Sequence, residues 1–163
     1  MASLKVLLVE DSEDDALLVL RALGKGGFEP EARRVETAEA MARALAGEPW
    51  DVILCDFKLP GFGGFDAIAL VKEAGLDIPL LIVSGSIGEE VAVECMRRGA
   101  HDYILKDHLS RLCPAIEREL AESKSRTSRR LAEAALLQSE EKFKTIANYT
   151  INWESWFAPD GTY

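Results

Sequence analysis

No apolar run in this chain comes near the roughly 20 residues that a membrane-spanning helix needs, and no secretory leader follows Met1. Both omissions lead us to expect a cytoplasmic protein with no membrane span. There are only two histidines, His101 and His108, and three cysteines, Cys55, Cys95 and Cys113, which are far apart and form no CxxC pair. That pattern gives no basis for a disulfide framework or a zinc site. The thiols are expected to be buried and idle, and the histidines to face solvent. Positive charge is scarce: 19 Lys and Arg stand against 28 Asp and Glu, a net charge of -9. The deficit is local, since residues 1–120 hold 13 basic against 22 acidic residues and residues 121–163 hold 6 of each. Without a basic face, direct binding to nucleic acid is not expected.

What the 163 residues do contain is an alternation of short apolar runs and helical patterns. Leu4–Val9, a more polar and edge-like Glu31–Val35, Val52–Cys55, Pro79–Val83 and Asp102–Leu105 read as strands. A first helix carries Leu17, Leu18 and Leu20–Leu23 and is stopped by Gly24, Gly26 and Gly27. A second is capped by Thr37 and ends at Gly47 and Pro49. Phe65–Ala74 and Glu89–Arg98 follow, closed by Gly75 and Gly99. A fifth begins at about Ser110, with Pro114 tolerated in its first turn. Five such alternations predict an α/β domain over residues 1–120: a flavodoxin-like, doubly wound, five-stranded parallel sheet of order 2-1-3-4-5, with an extended C-terminal helix.

Ligands of such sheets bind beyond the carboxyl ends of the strands. Those ends carry Glu10 and Asp11, Asp56, Ser84 and Gly85, and Lys106. At an effective dielectric near 20, two carboxylates about 4 Å apart repel by roughly 4 kcal/mol. Either one acid keeps a proton or a divalent cation neutralises the group. Oxygen-only donors favour Mg²⁺ or Mn²⁺. A metal beside Asp56, with the ammonium of Lys106 and the hydroxyl of Ser84, makes a clamp for a phosphoryl group, and Asp56 is then placed to act as its nucleophile.

The joint spacing of Glu10-Asp11, Asp56 with Pro60 four residues on, Ser84-Gly85, and Tyr103 three before Lys106 resembles the receiver domain of bacterial two-component response regulators. The resemblance implies phosphorylation at Asp56 by a histidine kinase or phosphotransfer protein. It also implies Mg²⁺ held by Glu10, Asp11, Asp56 and the main-chain carbonyl of Lys58, phosphoryl contacts from Ser84, Gly85 and Lys106, and a switch made of Ser84 and Tyr103. Three positions depart from the family pattern. Asp107 follows Lys106 where a proline is usual, so the loop there is expected to differ in shape. Gly63 stands where an acid is frequent, and Lys58 occupies a side-chain position that tunes phosphate lifetime in the family.

Between Glu122 and Tyr149 the chain has neither Pro nor Gly, and residues 121–145 read as a helical linker. Ile116, Leu120, Leu131, Ala134 and Leu137 mark a weak heptad seam, interrupted by Ser123, Thr127 and Arg130; a homodimer through a parallel coiled coil is expected, against a single polar helix. Text from Ser139 resembles the start of a PAS sensory domain. Residues 146–163 are accordingly expected to be the truncated beginning of one, with a strand around Trp153 and Trp156 and a turn at Asp160-Gly161. The chain would then be a fragment of a receiver-PAS hybrid whose output lies further on. Two other functions compete. A Mg²⁺-dependent phosphohydrolase with an aspartyl nucleophile needs a second acid near Asp56 and a substrate cap, but Phe57 and Lys58 follow Asp56. A flavodoxin-like cofactor binder would set phosphate against the carboxylates beside the first strand.

Overall fold

The computed structural model describes residues 1–86 and 88–154. It divides into two units, Met1–Ser123 and Lys124–Tyr163. In the first, strands β1 (Ala2–Val9), β2 (Phe28–Val35), β3 (Val52–Cys55), β6 (Leu80–Ser84) and β7 (Asp102–Leu105) form one sheet. Its order is β2-β1-β3-β6-β7, and every neighbouring pair is parallel. Two further strands, β4 (Lys58–Leu59) and β5 (Phe62–Gly63), make a small antiparallel hairpin. With that hairpin set aside, the order is the 2-1-3-4-5 expected from the sequence.

The apolar runs are continuous because both faces of the central strands are covered. Leu7, Val9, Ile53, Cys55, Leu80 and Ile82 point to helices α2 (Ala38–Gly47), α3 (Gly64–Glu73) and α4 (Glu89–Arg98). Their alternates Val6, Leu8, Val52, Leu54, Leu81 and Val83 meet α1 (Glu13–Lys25) and the start of α5 (Leu112–Glu154). This is the period-two division of a strand, read on both sides. Strand β2 lies at an edge, which is why its middle residues are polar and exposed. All three cysteines are buried, as expected.

Some local features differ from the sequence reading. The stretch after Asp56 is not an open loop: Pro60 and Gly61 turn the β4–β5 hairpin, with Gly61 at φ +69, a left-handed conformation that glycine adopts without penalty. Lys106–Arg111 winds into a 3-10 helix directly at the lysine, and all described peptide bonds are trans. Helix α5 therefore begins at Leu112. His101 is only partly exposed, and its Nδ1 accepts the Leu80 N–H at 3.1 Å, so it closes the strand edge instead of simply facing water. Ile116 is fully buried and Leu120 packs on the same core face, which removes both from the expected heptad seam. In the second unit Leu131, Leu136, Leu137, Phe143, Ile146 and Tyr149 are exposed. Trp153 belongs to α5 and not to a strand, and Trp156, Asp160 and Gly161 lie outside the described residues.

Candidate functional site

The acids are fixed by strand ends. Asp56 follows β3, yet its N–H still donates to the Val9 carbonyl at 2.9 Å, and the Glu10 N–H donates to the Val35 carbonyl at 3.1 Å. Sheet bonding thus continues for one residue past each strand and sets where the two carboxylates begin. Beyond Glu10, Ser12 caps α1: its Oγ accepts the Asp15 N–H at 3.3 Å, while the Ser12 N–H donates to Glu10 Oε1 at 3.0 Å. One short turn both starts the helix and orients the buried Glu10 side chain.

Asp56 is held from its other side by the hairpin. The Lys58 N–H lies 3.4 Å from Asp56 Oδ1. Phe57 packs edge-on against Phe65, centroids 5.0 Å apart at 87°, and the Arg98 guanidinium lies 4.2 Å over the Phe65 ring. A β-carbon at Gly64 would sit 2.5 Å from Phe57 Cδ2, so glycine is what allows Phe57 this close to α3.

Glu10, Asp11 and Asp56 each offer a carboxylate oxygen within 4.8 Å of the others. Lys106 arrives from β7 and donates to Asp15 Oδ2 at 2.6 Å, Glu10 Oε2 at 2.8 Å and Asp56 Oδ2 at 3.2 Å. Burial alone would lower the lysine pKa. The bonds to Asp15, Glu10 and Asp56 outweigh it and raise the value above the ordinary 10.5, so the ammonium stays charged. Burial raises Glu10 above its ordinary 4.5, and the bonds from Lys106 and the Ser12 N–H oppose that without cancelling it. Burial likewise pushes up the Cys55 thiol, next to Asp56 in sequence, which keeps it protonated and unreactive.

The structure therefore brings together Glu10, Asp11, Asp56 and Lys106. Ser84 is buried at the end of β6 and pairs with Leu105, the residue before Lys106. Tyr103 pairs with Ile82 and packs, half-buried, on the face that holds α2 to α4. Gly85 and Lys58 are exposed beside the cluster. Register places Ser84 and Tyr103, while the three bonds from Lys106 run to carboxylates and none to Ser84. Two participants were not singled out from the sequence. Asp15 lies one helical turn beyond Asp11, a spacing that signals a shared helix end once Ser12 is taken as the cap. Arg34, at the end of β2, donates through Nη1 to the carbonyls of Glu10 at 3.1 Å and Asp11 at 3.2 Å. Only the pairing of β2 with β1 reveals that approach, since Arg34 stands opposite Leu8.

Comparison with known proteins identifies the family. The family model of the response regulator receiver domain matches residues 6–117. The chain is 35% identical over 102 residues to the response regulator protein FleR of Pseudomonas aeruginosa, which is 63% of this chain and 21% of FleR. It is 36% identical over 106 residues to the phosphate regulon transcriptional regulatory protein PhoB of Klebsiella pneumoniae, 63% of this chain and 44% of PhoB. It thus spans less than half the length of these curated relatives. Among solved structures, the receiver domain of a putative Luxo repressor protein from Vibrio parahaemolyticus aligns with a TM-score of 0.68 at 24% identity, covering 77% of this chain and 95% of that one. The receiver domain of the sensor histidine kinase PA1611 from Pseudomonas aeruginosa, which has a magnesium ion coordinated in its active site cleft, aligns with a TM-score of 0.62 at 23% identity, covering 74% and 99%. Those two likenesses concern the fold. The family match covers most of the first unit and both strand ends that carry the acids: this chain belongs to the response regulator receiver domain family of two-component systems.

Proposed function

We propose that this receiver is a phosphoacceptor: Asp56 takes a phosphoryl group from a phosphohistidine on a histidine kinase or phosphotransfer protein. The observation that carries the reading is the meeting of Glu10, Asp11 and Asp56 within 4.8 Å under the ammonium of Lys106. The donor set fits a hard divalent cation. It is made of oxygens only, it is doubly anionic even after Lys106 offsets one charge, and Asp11 is exposed so that water can complete a coordination shell. Mg²⁺ or Mn²⁺ would be held by Glu10, Asp11, Asp56 and the Lys58 carbonyl, and when bound supplies charge neutralisation for an incoming anionic donor.

The residues of the chain do the rest. An Asp56 carboxylate oxygen forms the new bond to phosphorus, and the P–N bond of the phosphohistidine breaks with its electron pair returning to the imidazole nitrogen. The Asp56 carboxylate charge is consumed in the acyl phosphate. The longest of the three Lys106 bonds, 3.2 Å to Asp56 Oδ2, is thereby released for a phosphoryl oxygen. Glu10 and Asp15 keep the ammonium in place at 2.8 and 2.6 Å. The Ser84 hydroxyl and the Gly85 main chain supply further phosphoryl contacts, and Tyr103, packed beside α4, follows Ser84 as the switch. The new charge and acceptor oxygens bias the α4–β7–α5 surface. A hydrolase is not favoured: behind Asp56 stand Phe57, packed on Phe65, and the exposed Lys58.

The signal would pass to α5, whose exposed apolar residues from Leu131 to Tyr149 support pairing with a second copy. A PAS domain after the linker rests on the sequence from Ser139 alone. No helix among the described residues is long and apolar enough to cross a membrane. The test is calorimetric titration with beryllofluoride, a phosphoryl mimic, in Mg²⁺. Saturable binding by the wild type and none by Asp56→Asn is expected; equal binding by both contradicts the assignment.

A further inference from the structure

The loop that carries two of the three clustered acids is three residues long, Glu10 to Ser12, between β1 and α1. Two of its three N–H groups are held within the fold, that of Glu10 by the Val35 carbonyl at 3.1 Å and that of Ser12 by Glu10 Oε1 at 3.0 Å. Two successive carbonyls of that loop point to the far side, toward the sheet edge. One nitrogen reaches both: Arg34 Nη1 lies 3.1 Å from Glu10 O and 3.2 Å from Asp11 O. The guanidinium is itself tethered by Glu36 Oε1 to Nη1 at 2.5 Å and by Glu13 Oε1 to Nη2 at 3.3 Å. Its side chain is 27% exposed while Glu13 is 83% and Glu36 52% exposed. The bond to the Glu10 carbonyl is part-buried, while the bond to the Asp11 carbonyl and the two ion pairs are exposed.

We infer that Arg34 is the positioning residue of the acid cluster, fixing the Glu10–Asp11 main chain so that both carboxylates face a divalent cation together. The inference rests on reading Glu10, Asp11 and Asp56 as the cation site. Asp11 is exposed and takes its place from its main chain, so a fixed carbonyl is what limits its carboxylate. Arg34 meets both carbonyls and Glu36 through Nη1 while Glu13 holds its Nη2, so two nitrogens in one plane set the approach; an ammonium on a flexible stem has a single nitrogen for all four acceptors, and lysine does not reproduce the set. Groups that orient metal ligands without touching the metal typically change affinity by ten- to a hundredfold when removed.

The sign of the effect separates positioning from charge. Arg34 is a cation close to a cation site, so by electrostatics alone its removal would tighten Mg²⁺ binding. Positioning predicts the reverse. The experiment is calorimetric titration of Mg²⁺ into the full chain as wild type, Arg34→Ala and Arg34→Lys at one ionic strength, with the thermal midpoint of each measured without metal. Arg34→Ala is expected to weaken Mg²⁺ binding about tenfold. Arg34→Lys, which keeps the charge and the packed stem and guards against a folding failure, is expected to recover less than half of that loss on a logarithmic scale. Affinity that is unchanged or tighter in folded Arg34→Ala, or fully recovered in Arg34→Lys, overturns the inference and leaves the cation site standing. Absence of Mg²⁺ binding in the wild type overturns both.

Discussion

Lys106 has three donor hydrogens, and carboxylates from three parts of the chain take them: Glu10 after β1, Asp15 in α1 and Asp56 after β3. An ammonium that is 11% exposed keeps its charge only in such company. Glu10 is the more costly member, because its burial outweighs the bonds it receives and raises its pKa above 4.5. The sign for stability follows. Between 4.5 and its raised folded value, folded Glu10 holds a proton that the unfolded chain has released, so its contribution becomes less favourable as pH rises through that window and stays so above it. Glu10→Gln should therefore melt higher than wild type at pH 7.5. The gain should shrink as the pH approaches 4.5. A variant that melts lower at pH 7.5 would mean that the bond to Lys106 is worth more than relief from burial. A higher melting point would make Glu10 a residue kept for function at the expense of stability.

At the scale of elements, the Asp56 loop is a rigid mount. Hairpin β4–β5 pairs Lys58 with Gly63 and Leu59 with Phe62, and Phe57 fills the space a side chain at Gly64 would need, 2.5 Å from the ring. Gly64→Ala should cost about 1–3 kcal/mol through overpacking, seen as a lower urea midpoint with an unchanged slope. Phe57→Leu in the same chain should recover part of the loss. A neutral Gly64→Ala would show that Phe57 has room to move. This mount was only half legible in the sequence. Pro60, Gly61, Gly63 and Gly64 announced a break, but a pair of two-residue strands has too little periodicity to be read as strands. The central strands were legible because they are buried on both faces and so carry unbroken apolar runs. Strand β2 was read three residues short, since Phe28, Glu29 and Pro30 at an edge obey no such pattern. The acids and Lys106 were legible from their places at strand ends; Asp15 and Arg34 were not. Their roles depend on side-chain reach across elements, Lys106 to α1 and Arg34 across the β1–β2 register, which one-dimensional spacing does not encode. The expected seam at Ile116 failed for a related reason: a helical apolar stripe does not declare whether a sheet or a second helix covers it, and here the sheet takes Ile116 at 0% exposure.

Over the whole molecule, acidic charge and exposed apolar residues separate along the chain. The net charge of -9 belongs to residues 1–120, the part that gathers the acids at one sheet edge. The second unit carries Leu131, Leu137 and Phe143 at 66%, 60% and 71% exposure, on the part of α5 that follows its buried start. Isolated helices owe little stability to propensity and most of it to packing an apolar face. The proposed covering is a second copy. Sedimentation equilibrium of the full chain should give a dimer at micromolar concentration and a monomer for Leu137→Glu; a wild type that stays monomeric would assign α5 to another partner. The central claim, that Asp56 accepts phosphate in a cation-dependent site, is tested most directly by intact mass after incubation with acetyl phosphate, with and without Mg²⁺, on the wild type and on Asp56→Asn. We predict a gain of one phosphoryl group in the wild type that requires Mg²⁺ and is lost in the variant. A wild type that gains no phosphoryl group, or an adduct that persists in Asp56→Asn, would contradict it.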